Sequence, residues 1–118
     1  MVKAAIGILG LVFLGGCTVG YTVDVRNDTA QPIGVALMRG SGSGQPGTLA
    51  VERLGPGSRG RVSRFGLSDD LKVYVEVDAQ GNPGTPPQMD LKPGLTVVRV
   101  TQDADLPTGK MHMTRVEE

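Results

Sequence analysis

The sequence predicts an all-β protein, namely a small antiparallel β-sandwich, immunoglobulin-like or transthyretin-like, of seven to eight short strands. Three observations support this prediction. After residue 20, apolar residues recur at alternate positions in short runs, which is the period of a β-strand. Clusters of Gly, Pro and Asn separate these runs at intervals of about ten residues, as in sandwiches and barrels. Residues 21–118 contain no run with helical periodicity.

The run at residues 71–77 is the clearest strand, because its odd positions are all apolar and are predicted to face the core. Leu49 and Val51 are assigned to one face of their run, and Val62 marks a weaker run between arginines. Adjacent Val97 and Val98 leave the phase of their strand open. The predicted strands are 22–26, 33–38, 49–54, 59–65, 71–77, 88–91, 95–101 and 111–116.

Two Pro-Gly pairs, Pro56-Gly57 and Pro93-Gly94, suit the central positions of a type II turn. Proline fixes φ at the first position, and glycine tolerates the positive φ that the second position requires. We therefore expect positive φ at both glycines. Residues 39–47 are rich in Gly and Ser and predict a flexible loop tip.

The chain also contains a possible internal repeat. Residues 44–57 and 81–94 match at seven of fourteen positions without a gap, at an offset of 37 residues. One inserted residue upstream aligns Ile33, Val35 and Leu37 with Leu71, Val73 and Val75. Either the chain carries a duplication, or two hairpins share the same Gly/Pro turn chemistry. If residues 33–64 and 71–101 are equivalent units, the two Pro-Gly pairs should form the same kind of turn.

The N-terminal segment indicates export. Lys3 precedes an almost wholly apolar run, Ala4 to Leu14, which ends in Leu14-Gly15-Gly16-Cys17. This ending resembles the lipobox of bacterial lipoproteins, a family whose signal peptide is cleaved before the cysteine. The resemblance implies a helical signal peptide at 1–16, a lipidated Cys17 with a short tether at 17–20, and a β-sandwich domain at 21–118.

The alternatives for this segment are an ordinary secretory signal and a transmembrane anchor. The anchor fits poorly, because residues 4–16 include four glycines and fall short of the about 20 apolar residues that span a bilayer. An Asp after the lipidated cysteine commonly implies retention in the inner membrane. Thr18 stands there instead, so in a cell with two membranes the resemblance implies the periplasmic face of the outer one.

Composition excludes several classes of function. Cleavage before Cys17 leaves 118 − 16 = 102 residues with 11 basic and 12 acidic side chains, a net charge of −1 that gives no global bias toward anionic membranes and predicts no nucleic-acid binding. Cys17 is the one cysteine, so its lipidation would leave no thiol for a disulfide or a nucleophile. Trp is absent and other aromatic residues are few, which disfavours sugar binding.

Two clusters are candidates for binding. Met111, His112 and Met113 combine soft thioether and imidazole ligands that bind copper, although a strand would point His112 away from both methionines. Arg59, Arg61 and Arg64 could contact phosphates or carboxylates, or could protect an edge strand by their charge. The acidic pairs in the loops match no calcium-binding spacing.

The sequence lacks the residues that nucleophilic catalysis requires, because it has one histidine and no motif around any serine. We therefore expect no enzymatic activity, no cofactor and no small-molecule substrate. The sequence favours a lipid-anchored envelope protein that acts as a structural or protein-interaction module with an unknown envelope protein as partner. The alternatives are periplasmic copper handling through Met111, His112 and Met113, and an accessory lipoprotein subunit of an envelope machine.

Overall fold

A computed structural model describes residues 17–40, 47–79, 85–103 and 109–116, and it shows a β-sandwich of two four-stranded sheets. All eight predicted strands are present, and most differ from their predicted bounds by a few residues. The predicted signal peptide lies outside the described residues. The strands are β1 (Thr18–Asn27), β2 (Ile33–Arg39), β3 (Gly47–Leu54), β4 (Arg59–Ser68), β5 (Val73–Asp78), β6 (Gln88–Asp90), β7 (Gly94–Gln102) and β8 (Met111–Arg115).

Sheet A has the strand order β4-β1-β7-β8, and sheet B has the order β3-β2-β5-β6. The predicted antiparallel β-sandwich is confirmed, although one pair of neighbouring strands, β1 and β7, runs parallel. The reason is topological. β4 and β7 flank β1 and run in opposite directions, so only one of them can be antiparallel to it. Within the described ranges no helix is long and apolar enough to cross a bilayer.

The core lies between the sheets and is built from the alternate positions that the sequence predicts. Val73, Val75 and Val77 are buried, as is Val62. The predicted common face of Leu49 and Val51 is wrong for Val51, which is 61% exposed. Its strand β3 places Leu54 and Ala50 opposite Ile33 and Leu37 of the inner face, which turns Val51 outward beside Ala36.

The phase of β7, left open by adjacent Val97 and Val98, is settled by its pairing with β1. Val98 lies opposite Val25 in the core and is fully buried. Val97 therefore points to the outer side of sheet A, opposite Asp24. It is buried there too, with only 8% of its surface exposed. A strand between two neighbours can bury apolar side chains on both faces, so the two valines do not conflict.

The sandwich has two ends, which differ in composition. The Cys17 end contains Cys17 itself and the connections 69–72 and 91–93, and the far end contains the connections 28–32 and 55–58. At the far end Asn27 is fully buried, and its side-chain nitrogen donates to the carbonyls of Gln31, Leu54 and Gly55 at 2.9–3.1 Å. Its Oδ1 accepts from the backbone N–H and hydroxyl of Thr29. One amide thus joins two connections.

The two repeat units occupy related places in the fold. β2 and β5 lie at the centre of sheet B with β3 and β6 outside them, and β4 and β7 flank β1 in sheet A. Leu37 pairs with Val75, the residue that the sequence alignment makes equivalent to it. The strand order relates the two units, but their Pro-Gly pairs do not form the same kind of turn, so the prediction of equivalent units is wrong.

The two Pro-Gly pairs agree with the prediction in φ but not in turn type. Gly57 has φ 75° and Gly94 has φ 104°, so the expectation of positive φ is confirmed at both. The Ser58 N–H donates to the Gly55 carbonyl at 3.2 Å and closes a turn of the type II kind around Pro56 and Gly57. Gly94 is instead the first residue of β7, opposite Tyr21. The prediction of identical turns is wrong, because β7 begins pairing with β1 at the glycine itself.

Candidate functional site: the Cys17 end and the outer faces

Cys17 lies exposed directly before the first strand. The expected tether at 17–20 is not separate from the domain, since β1 begins at Thr18. Thr18 pairs with Ser68 and Val19 with Leu67 on β4. The predicted strand began four residues later because Thr18, Val19 and Gly20 lack clear alternation. A lipid on Cys17 would consequently be attached to the sheet without an intervening linker.

An exposed aromatic ring lies beside Cys17 and was not singled out by the sequence. Phe65 is 68% exposed, and its ring covers Gly20, where an added Cβ would collide with the ring. The register that pairs Thr22 with Ser63 and Tyr21 with Arg64 continues to place Phe65 across from Gly20, and a bulge then follows at Gly66. Gly66 has φ 76°, as the glycine of such a bulge commonly does. In the sequence, the Phe65-Gly66 pair was the signal that could have indicated a bulge beside an exposed ring.

The predicted arginine patch divides into two parts. Arg59 and Arg61 lie on the outer face of sheet A, and the Nε of each is 3.9 Å and 3.6 Å from the carboxylate of Asp24. These distances exceed a hydrogen bond, and both arginines are more than half exposed, so the pairs are weak. Arg64 instead donates from Nη1 to the Leu49 carbonyl at 2.8 Å. Strand alternation separates them, because Arg64 lies opposite the inward-facing Tyr21, whereas Arg59 and Arg61 lie opposite Arg26 and Asp24.

The predicted copper candidates lie on edge strand β8 and do not converge. Met111 is buried and Met113 is half-buried, opposite Gln102 and Val100. His112 is exposed on the other face, and its Nε2 lies 2.8 Å from Oδ1 of Asp103. Alternation along a strand produces this separation. Within the described ranges there is no group of three or more His, Cys, Asp or Glu residues that could hold a metal ion.

The outer face of sheet B presents a second surface, which consists of apolar side chains with an acidic margin. Met38 pairs with Tyr74 and Ala36 with Val51, so these four side chains lie side by side. Glu76, Asp78 and Asp90 share this face with Arg53. A groove at its Cys17 end has a volume of about 420 Å³ and is lined by Gly40, Lys72, Val73, Tyr74, Gln88, Asp90 and Leu91.

Comparisons with known proteins give one structural likeness. No protein-family model matches the chain, and no curated protein matches it. Among solved structures, the chain is similar to the T6SS lipoprotein TssJ1 from Pseudomonas aeruginosa, with a TM-score of 0.45 and 9% sequence identity over 87% of this chain and 98% of that one. At this identity and score, the likeness is one of strand arrangement and carries no functional conclusion.

Proposed function

We propose that this chain is a lipoprotein of the bacterial cell envelope, acylated on Cys17, that acts without catalysis as a protein-interaction module at a membrane surface. The observation that carries the proposal is the position of Cys17. The cysteine that completes the lipobox-like run is exposed and is followed at once by the first paired residue of the sandwich. Cleavage before Cys17 would therefore remove the leader and leave the whole domain intact.

The anchor would be firm and short. A single acyl chain binds a bilayer only marginally, whereas two or more hold a protein stably. Bacterial lipoproteins, which the leader resembles, carry two or three. In a cell with two membranes we place the domain on the periplasmic face of the outer membrane, since Thr18 follows the cysteine.

The outer face of sheet B is the surface that we assign to a protein partner. Val51 is 61% exposed there, and it lies beside Ala36 with Met38 and Tyr74 next along the sheet. Apolar side chains surrounded by charged ones are typical of protein interfaces. On this face three carboxylates outnumber the positive charge of Arg53. This excess of negative charge favours a partner with basic residues at the rim of the interface. Such a partner would make the protein either a structural spacer or an accessory subunit of an envelope machine.

The absence of catalysis is part of this proposal. The only imidazole, His112, lies on the exposed side of an edge strand and pairs with exposed Asp103. Cys17 would be consumed by the lipid. The support for this part of the proposal is the sequence, which has one histidine and no motif around any serine.

Metabolic labelling with a palmitate analogue tests the anchor. The full-length chain should be labelled and should sediment with membranes, and Cys17→Ser should be unlabelled and should keep its leader. A matched Thr18→Ser variant controls for a change beside the site and should label like the natural sequence. Equal labelling of the natural chain and Cys17→Ser would contradict the proposal.

Crosslinking in intact cells tests the partner surface and distinguishes its two forms. A photoreactive residue at position 51 should capture a defined envelope protein, and Tyr74→Asp in the same chain should abolish that capture. A component of a multi-protein machine as the captured protein would identify an accessory subunit, while cell-wall material alone would identify a spacer. No capture from position 51 in a chain that is acylated would remove the outer face of sheet B from the proposal.

A further inference from the structure

Exposed apolar side chains at the Cys17 end lie on one side of the sandwich. Phe65 is 68% exposed and Leu95 is 57% exposed. The Phe65 ring covers Gly20 on the outer face of sheet A, and Leu95 lies opposite Thr22 on that same face. One face of the Phe65 ring packs on Gly20, and the rest of the ring is exposed to water. Within the described residues Val51 is the third exposed large apolar side chain, and it lies on sheet B.

Chain geometry keeps these two side chains near Cys17. Gly20 and Thr22 are three and five residues from Cys17 along β1, which corresponds to about 10 Å and about 16 Å at the rise of a strand. No linker allows the domain to move away, since Thr18 is already paired with Ser68. Interfacial segments bury their apolar face about 5–10 Å into the headgroup region. With the outer face of sheet A lying along the bilayer surface, Phe65 and Leu95 reach that depth.

Charge distinguishes the two outer faces. Sheet A carries Arg26, Arg59, Arg61 and Arg99 on its outer face, against Asp24 within the sheet and Asp28 and Asp103 just beyond its strands. The outer face of sheet B carries Glu76, Asp78 and Asp90 against Arg53, with Lys72 in the groove at its Cys17 end. Bilayers with anionic lipids attract basic surfaces, so electrostatics favours sheet A as the side that faces the membrane.

We infer that the outer face of sheet A lies on the bilayer to which the chain is anchored, with Phe65 and Leu95 in the headgroup region and the arginines against lipid phosphates. The inference rests on the proposed acylation of Cys17 and adds an orientation to it. Sheet B then faces away from the membrane, where a protein partner can reach it. Strand alternation places Phe65 on the same outer face as Arg59 and Arg61, and the bulge at Gly66 follows it.

Tryptophan fluorescence can test this orientation, because the natural chain has no Trp. Phe65→Trp and Leu95→Trp each add one indole on sheet A, and Val51→Trp adds a matched indole of similar exposure on sheet B. Each full-length protein is purified from membranes, its acylation is checked by intact mass, and it is reconstituted into vesicles. The vesicles contain phosphatidylcholine with phosphatidylglycerol, with or without bromine on the acyl chains.

We expect F65W and L95W to show blue-shifted emission that brominated lipid quenches, and V51W to show the emission of an indole in water without quenching. Replacing Arg59 and Arg61 by Gln should reduce the quenching of F65W in the mixed vesicles. It should have little effect in phosphatidylcholine alone.

Acylated F65W and L95W that both escape quenching would overturn the inference and leave the anchor standing. Quenching of V51W equal to that of F65W would also overturn it, since the domain would then have no fixed side. Proteins that carry no acyl group would overturn the proposed anchor and this orientation together. If F65W fails to fold, L95W alone decides between the outcomes.

Discussion

Polar side chains usually lie on the surface of a protein and apolar ones inside it. Each end of the sandwich has an exception, a buried polar side chain at the far end and an exposed apolar side chain at the Cys17 end. At the far end a polar side chain, Asn27, is fully buried and satisfies every hydrogen bond that its amide can make. At the Cys17 end an apolar ring, Phe65, is left 68% exposed beside an exposed cysteine. A buried polar group with all its partners is explained by the fold. An exposed large apolar group near an anchor is explained by what it meets outside the fold.

The difference indicates where to expect stability and where to expect function. Asn27 is also paired through its backbone, since its N–H donates to Ser58 and its carbonyl accepts from Gly57 at 2.8–2.9 Å. The far end is therefore closed by side-chain and backbone contacts that meet at Asn27. At the other end Phe65 and Cys17 are exposed, so these side chains are freer to change without unfolding the domain.

The largest effect is expected at Asn27. Asn27→Asp keeps the shape of the side chain but replaces the NH₂ donor with an oxygen, which would face three carbonyl oxygens in a buried site. Unpaired buried acceptors and an uncompensated buried charge together should lower the free energy of unfolding by about 3–5 kcal/mol. Chemical denaturation followed by circular dichroism measures the loss.

The matched control is Gln88→Glu, which makes the same amide-to-carboxylate change at an exposed position beside Glu76. It removes the hydrogen bond that Gln88 donates to Glu76 and places two carboxylates opposite each other, so at this exposed position it should cost about 0.2–1 kcal/mol. Equal losses for the two variants would show that Asn27 does not close the far end. A loss at Asn27 alone confirms the contrast between a buried and an exposed amide.

A smaller effect compares one glycine from each end. Gly57 at the far end and Gly94 at the Cys17 end both have positive φ, and an added Cβ would have no heavy atom within 4 Å at either position. Alanine should therefore cost backbone strain alone, about 1 kcal/mol at each. Thermal unfolding of Gly57→Ala and Gly94→Ala should show similar decreases.

Gly34→Ala serves as the control for these two variants, because Gly34 is not among the positive-φ glycines and its added Cβ would make only an ordinary contact. It should cost less than either. A loss at Gly57 several times that at Gly94 would show that strain at the far end spreads through the Asn27 contacts. The contrast between the ends would then extend to the backbone.

The strands were predictable because alternation is a local property that tertiary contacts rarely reverse. The sequence therefore located all eight strands and the inner positions of 71–77. The face of Val51 was not predictable, since it depends on which residue of β2 it meets across the sheet. The parallel pairing of β1 with β7 likewise depends on the path of the whole chain.

The candidate site shows the same division between local and non-local information. Cys17 was proposed from a contiguous motif. The arginines were grouped by sequence, yet strand alternation separates Arg64 from the other two, because Arg59 and Arg61 are at odd positions of β4 and Arg64 is at an even one. Phe65 was missed because its partner, Gly20, lies 45 residues away and becomes its neighbour only when β1 pairs with β4.

The central claim is that the mature protein begins at Cys17 and is held to a membrane through that residue with no linker. Intact mass spectrometry of the protein extracted from membranes tests it most directly. We predict a chain that starts at Cys17 and carries the added mass of a diacylglyceryl group, with or without a third acyl chain. A chain that retains residues 1–16, or one cleaved elsewhere with an unmodified Cys17, would contradict the account.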